Sequence, residues 1–269
     1  KYFPKFDWPR IDNPYLKFPI TDNIIENVKA KEKKAIDQIH KALKNNPDDI
    51  AALIIEPIQG EGGDKHFRND FFKELKFLSI EHDFLLIYDE VQTGIGITGK
   101  MWAHQHFSNC LPDIISFGKK TQVCGILVGD RINEVQDNVF KKSSRINSTF
   151  GGNLTDMMRF KIILEVIRDF NLLDNAKLMG KYLLNKLVEL EEEFPAFIIN
   201  ARGSGLFCAF DLPSSTERDD LLTEMNRNNL LILSSGLNSI RFRPHLIIKK
   251  SEINFAIDII KKSINNILK

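Results

Sequence analysis

"DIISFGKKTQVCG", residues 113–125, is an apolar run that reads as a buried strand and ends in glycine followed by two adjacent lysines. An unpaired ammonium is costly to bury, so a lysine kept at such a place needs a chemical reason. Two earlier stretches share the form. "IAALIIEPI" (50–58) is a near-continuous apolar run closed by Glu-Pro, and "FLLIYDEV" (84–91) is another closed by Asp-Glu. Runs of this kind fit strands covered on both faces, as in parallel sheets. Between the first two lies "NDFFKELKFLSIEH" (69–82), with an Asn/Asp cap signal and Phe71, Phe72, Leu75 and Leu78 on one helical stripe. Strand, helix, strand at this spacing is a right-handed crossover unit, and a succession of them makes an α/β sheet.

Outward from this centre, residues 24–44 space their apolar groups as an amphipathic surface helix. From about residue 153 the pattern becomes a long helical stretch, a natural bridge to a second unit. Past Pro195 the elements shorten: one or two strands in "FIINARGSGLFCAFDL", a helix at 217–228, strands at "LLILSS" and "SIRFRP", and a closing amphipathic helix. The expected organisation is α/β, with residues 1–160 forming part of a large domain built on a mainly parallel sheet. Residues 161–269 then supply the bridging helix and a small α+β domain.

Composition narrows the function classes. The 269 residues carry 37 basic and 36 acidic side chains, a net charge of +1 that gives no electrostatic reason to expect nucleic acid. The apolar runs are too short to span a membrane and no signal-peptide pattern opens the chain, so a cytoplasmic soluble protein is expected. Cys110, Cys124 and Cys208 are widely spaced and odd in number, which indicates neither a disulfide framework nor a zinc site. His104 and His106 stand two apart, unlike a helical zinc pair, and read as packed or exposed histidines; no metal is expected.

Each central run ends in a polar group: Glu56 and Glu61, Asp89 and Glu90, Lys119 and Lys120. Ligands of parallel α/β sheets bind outside the carboxyl ends of the strands, so these groups should converge on one crevice. The pattern by itself admits a structural ion pair as readily as a reactive site. A nucleotide hydrolase fails on chemistry: "GIGITGKM" places Met101 where a hydroxyl must reach Mg²⁺, and the loop does not join its own strand to a helix.

"FLLIYDEVQTG", "SFGKKTQVCG" and "RINSTFGGNLTDM" resemble, in order and spacing, the cofactor-binding segments of class III pyridoxal-phosphate-dependent aminotransferases. "EPIQGEGGDKHFR" and "GKKTQVCG" are most similar to the L-lysine 6-aminotransferase branch, including Val123-Cys124-Gly125 where most of the class has a Gly-Gly. The resemblance implies fold type I of the pyridoxal-phosphate enzymes. It also implies the cofactor pyridoxal 5'-phosphate and transfer of the 6-amino group of L-lysine to 2-oxoglutarate, giving glutamate and 2-aminoadipate 6-semialdehyde. Lys119 would form the Schiff base and shuttle the proton, and Asp89 would hold the pyridine nitrogen protonated. Gln92 would meet the phenolic oxygen. Thr149 would reach the cofactor phosphate of a neighbouring subunit, which implies a homodimer with shared sites. Glu61 would mask Arg241 of "IRFRPHL" until 2-oxoglutarate enters and the arginine takes its α-carboxylate; Arg243 is the arginine that could be mistaken for it, a rim salt bridge being the plain alternative. Lys120 has no comparable role and is expected at a solvated or phosphate-side position. The class carries an N-terminal portion not found here, and the opening "KYFPKFDWPR" has no initiating Met, so the chain is expected to correspond to the C-terminal part. Other ω-aminotransferases, acting on ornithine or 4-aminobutyrate, and a non-catalytic truncated homologue are the alternatives.

Overall fold

The first sheet grows from one crossover unit. In the structure, a computed structural model describing residues 6–149 and 151–268, β1 (Ala52–Ile55) and β2 (Leu85–Asp89) pair in parallel, with α2 (Asn69–Glu81) between them in sequence. β3 (Ile114–Phe117) adds to β2 in parallel, and β4 (Gly125–Val128) closes the order β1-β2-β3-β4 antiparallel. The α2 stripe does what its spacing predicts: Phe71, Phe72, Leu75 and Leu78 are buried with Leu86 and Tyr88 of β2, and Ala35 and Ile39 of α1 (Asp22–Asn45) join the same cluster. Thr21 caps α1, its hydroxyl accepting from Ile24 N at 3.3 Å.

Two expectations need correction. β1 is not covered on both faces: Leu53 and Ile55 turn to the aromatic cluster, but Ile54 is 64 % exposed. The register puts Ile54 in one row with Ile87, Ile114 and Val128, on the face away from α2, and among the described residues that row has thin cover. Asn69 does not cap α2 either. It is the first helical residue, the cap position is Arg68, and the Asn69 amide instead ties the helix start to Ser108, accepting from Ser108 N at 2.8 Å.

After α3 (Leu154–Asp169) the helical path breaks at Asn171, which takes a left-handed φ of 50°, and resumes as α4 (Leu172–Glu193). α4 and α6 (Lys250–Ile267) bury their apolar stripes on a second, wholly antiparallel sheet of order β5-β6-β8-β7. Its strands are Ile199–Ser204, Phe207–Asp211, Leu233–Ser235 (β7) and Ser239–Phe242 (β8), and α5 (Ser215–Arg227) links β6 to β7. The two sheets are joined tightly. Leu206 N donates to Ile97 O at 2.8 Å, and α4 lies so close to the β5–β6 turn that a Cβ on Gly180 would fall 2.0 Å from the Gly205 carbonyl carbon.

Candidate active site

Asp89 closes β2, and its Oδ1 accepts from Val91 N at 3.0 Å and from Ser116 Oγ of β3 at 3.2 Å. Among the described residues Oδ2 takes no hydrogen bond. One strand over, β3 runs out through Gly118 into a short 3₁₀ turn, Lys119–Thr121, in which Lys119 holds a left-handed φ of 54°. A lysine in that conformation costs on the order of 1 kcal/mol or more, the kind of strain found where a side chain is aimed for use. Lys119 is exposed. Glu56, just past β1, is pushed above the usual carboxylate range by burial; Gly60 N, donating at 2.9 Å, and the charge of Lys119 pull it back, while the charge of Asp89 pushes it up further. The ends of β1, β2 and β3 therefore lie within one another's field, as strand order requires.

Of the two positions the sequence leaves open for Lys120, solvated or phosphate-side, the structure excludes the first. Lys120 is the lysine that turns inward, where its ammonium donates to the Gln92 carbonyl at 2.5 Å. Burial, with help from the charges of Arg243 and Lys119, lowers its pKa to about 8. The Gln92 amide also rests against the 60–64 turn, where a Cβ on Gly60 would come within 2.4 Å of Gln92 Oε1 and the side chain would have to shift. Glu90 does not join the crevice as expected. It is buried and anchors the following loop, accepting from Thr93 Oγ1, Ala103 N, His104 N and the His104 ring at 2.6 to 3.0 Å. His104 is thus a packed histidine.

The second sheet supplies arginines. Arg241 of β8 donates from Nη1 to Glu61 Oε2 at 2.7 Å; the Glu61 side chain is 74 % exposed, and among the described residues the Nε atoms of Arg241 and Arg243 are both buried without a partner. Two residues on, Arg243 grips the fully buried Asp64 with both terminal nitrogens, at 2.6 and 2.8 Å, and lies 3.3 Å from the Phe207 ring centre. It is no rim salt bridge. A cleft of about 680 Å³ opens between the sheets, and Gln92, Lys119, Lys120, Arg241 and Arg243 all line it. Asp89 lies beside this cleft and not on its wall. Thr149 is exposed and lines no part of it.

Asp64 and Arg202 escaped the sequence reading. Arg202 is buried, donating to the carbonyls of Gly63, Asp64 and Asn200 and to the Asp211 carboxylate at 2.6 to 2.8 Å. No local spacing signals such a network; the adjacency of Asp64 to the Gly-Glu-Gly-Gly segment was the one available hint.

A strained, exposed lysine, a carboxylate with one oxygen unspent on the neighbouring strand and an amide clamped beside them fit a flat, aldehyde-bearing pyridine ring. Comparison with known proteins agrees. The profile of the class III aminotransferases matches residues 4–264. An L-lysine-epsilon aminotransferase of Mycobacterium tuberculosis is 48 % identical over 97 % of this chain and 58 % of its own length. A 4-aminobutyrate aminotransferase of Schizosaccharomyces pombe is 38 % identical over 92 % of the chain and 51 % of its own. The solved lysine aminotransferase of M. tuberculosis, in its internal aldimine form, superposes with a TM-score of 0.93 over 97 % of this chain and 59 % of that one. The chain thus spans under two thirds of the length of these relatives, and along that span a family profile, sequence identity and backbone geometry give one answer: it belongs to the class III aminotransferases, which depend on pyridoxal 5'-phosphate.

Proposed function

We propose that the enzyme to which this chain belongs transfers the 6-amino group of L-lysine to 2-oxoglutarate, leaving glutamate and 2-aminoadipate 6-semialdehyde, which cyclises. The observation that carries the reading is the cleft in which Lys119 and Gln92 face Arg241, with Arg241 covered by an exposed glutamate. The higher identity to a lysine-epsilon aminotransferase than to a 4-aminobutyrate aminotransferase supports the choice of amine. Bound pyridoxal 5'-phosphate supplies a carbonyl that condenses with amines and a ring that accepts the electrons of a breaking C–H bond. Lys119 Nζ would hold that carbonyl and, as the free amine, would serve as the base that carries the proton. Asp89, with Oδ1 fixed by Ser116 and Val91, would be the group that holds the ring nitrogen protonated. Gln92 orients the phenolic oxygen. Arg241 offers Nη and the unspent Nε to the α-carboxylate of the 2-oxo acid once Glu61 moves off, a bidentate grip that lysine's distal amine has no use for.

The working unit in this reading is a homodimer. Leu154, Met158, Ile162, Val166 and Phe170 are 79, 56, 54, 40 and 70 % exposed and form one i, i+4 ridge along α3 and its end, an apolar strip suited to a second copy. Thr149, exposed just ahead of that ridge in sequence, is the proposed contact to a partner's cofactor phosphate. The cytoplasm is the proposed compartment, supported by three free cysteines, one of them exposed. Among the described residues no helix is long and apolar enough to cross a membrane. The test is an amine-donor panel on the complete enzyme with 2-oxoglutarate as acceptor. L-lysine should lead ornithine and 4-aminobutyrate in kcat/KM, and borohydride should fix the cofactor's mass on the Lys119 peptide; a preference for either rival amine rejects the lysine assignment.

A further inference from the structure

Two arginines, Arg241 in β8 and Arg243 just past its end, line the same cleft, and each meets an acid from the same turn, residues 60–64. The two pairs are built differently. Glu61 meets Arg241 through one contact and stays 74 % exposed, free to rotate into water. Asp64 is fully buried and takes both terminal nitrogens of Arg243, whose guanidinium is also stacked on Phe207 and donates to the Phe242 carbonyl at 2.7 Å. The turn carrying both acids is fastened on every side. Gly236 N donates to Glu61 O at 2.8 Å, Arg202 donates to the carbonyls of Gly63 and Asp64 at 2.6 and 2.8 Å, and Gln59 and Lys65 exchange both backbone hydrogen bonds at 3.0 Å. Gly236 itself, at φ 56°, lies where a Cβ would stand 2.8 Å from the Gly63 Cα. Nothing in this turn moves cheaply except the Glu61 side chain.

We propose that Asp64 is a specificity-determining positioning residue: its buried carboxylate commits Arg243 and pins the 60–64 turn, so that of two arginines on one cleft only Arg241 can exchange its acid for a substrate carboxylate. The inference rests on the Glu61–Arg241 exchange proposed above and adds what keeps that exchange to one site. Without Asp64 the second guanidinium, 18 % exposed on the cleft wall, becomes a rival carboxylate receptor about one strand repeat from the first. A dicarboxylate would then bind across both arginines in a pose unsuited to amino transfer.

The complete, cofactor-loaded enzyme with Asp64→Asn tests this, using glutarate, a dicarboxylate without the 2-oxo group, as the probe. Its competitive inhibition against 2-oxoglutarate should tighten by about tenfold, the worth of one additional charge-assisted contact. A merely structural role moves this readout the other way, because a loosened site binds anions less well. Unchanged or weaker glutarate inhibition in a folded Asp64→Asn enzyme overturns the proposal. Should that variant not fold, Asp64→Asn combined with Arg243→Met removes both charges together; parental glutarate inhibition and a parental KM for 2-oxoglutarate support the proposal, and a tenfold loss in either makes Arg243 a ligand in its own right and overturns it. Arg241→Met keeps the two readings apart: a parental KM for 2-oxoglutarate there rejects the Glu61–Arg241 exchange, and the Asp64 claim is then decided by glutarate alone.

Discussion

Replacing Lys120 with methionine should make the protein more stable at neutral pH, although it deletes a hydrogen bond. The drop in the Lys120 pKa from 10.5 to about 8 corresponds to about 3 kcal/mol set against the folded state at pH 7. That penalty comes first from desolvation, then from the charges of Arg243 and Lys119. The bond to the Gln92 carbonyl returns on the order of 1–2 kcal/mol, as an ammonium donor does. Methionine follows the same path with an apolar stem and tip, so a gain of about 1–2 kcal/mol is expected. The sign is checked by pH. Below pH 8 the amine is charged in both states and the penalty is complete; between about 8 and 10.5 the folded amine is neutral while the unfolded one stays charged, so the parent's stability rises through that window. The variant lacks the rise, and its advantage should vanish toward pH 10.5. Urea unfolding of parent and variant at pH 7 and pH 10 reads this directly, because the titrating groups not coupled to Lys120 cancel in the difference. A Lys120→Met protein less stable than its parent at pH 7, or an advantage equal at both pH values, would refute the reasoning.

Three further outcomes follow from single contacts. Gly180→Ala drives a methyl into the Gly205 backbone, which no rotamer can relieve, and should cost about 3 kcal/mol or more, seen as a fall of several degrees in Tm; a Tm within a degree of the parent would mean that α4 and the β5–β6 turn are not in contact. His66 is held neutral, its pKa lowered to about 3 by burial and by the cations Arg202 and Arg243, so it withdraws stability as pH falls from 6.5 toward 3. His66→Gln should flatten the decline in Tm between pH 7 and 4.5, and parallel curves would show that the folded protein accepts the proton. Glu61→Ala should alter stability by no more than about 1 kcal/mol, its carboxylate being exposed and making a single contact, yet impair the lysine half-reaction more than the 2-oxoglutarate half-reaction; equal losses in single-turnover measurements of the two halves would exclude a switching role.

What the sequence made legible was what local pattern encodes. Apolar runs closed by Glu56, Asp89 and Lys119 gave three adjacent strand ends, and the 3.6-residue stripe of α2 gave the helix that packs between them. Patterning cannot say what lies above a strand, so β1 read as covered on both faces when Ile54 stands in the open. It cannot separate neighbours either. Lys119 and Lys120 are equivalent as letters; both line the cleft, and across the left-handed turn at Lys119 the first stays exposed while the second spends its ammonium on the Gln92 carbonyl. Asp64 and Arg202 are 138 residues apart and meet only because the second sheet docks on the 60–64 turn, a contact with no period to announce it.

The difference in strength between the two acid–arginine pairs is what gives the cleft a direction. A single-contact pair whose acid is exposed, as Glu61 is, is held by about 1 kcal/mol, whereas a carboxylate arriving in a bidentate fit on the guanidinium gains on the order of 1.5–3 kcal/mol. In the proposed function, exchange at Arg241 therefore runs downhill for a 2-oxo acid whose α-carboxylate reaches that arginine, and stays closed while lysine presents its distal amine there. At Arg243 the same exchange would strip Asp64 of its partner while leaving it buried, a cost of about 3–5 kcal/mol that no single incoming carboxylate recovers. One turn thus carries a weak latch and a strong anchor three residues apart, and the burial of the second acid is what allows the first to be weak.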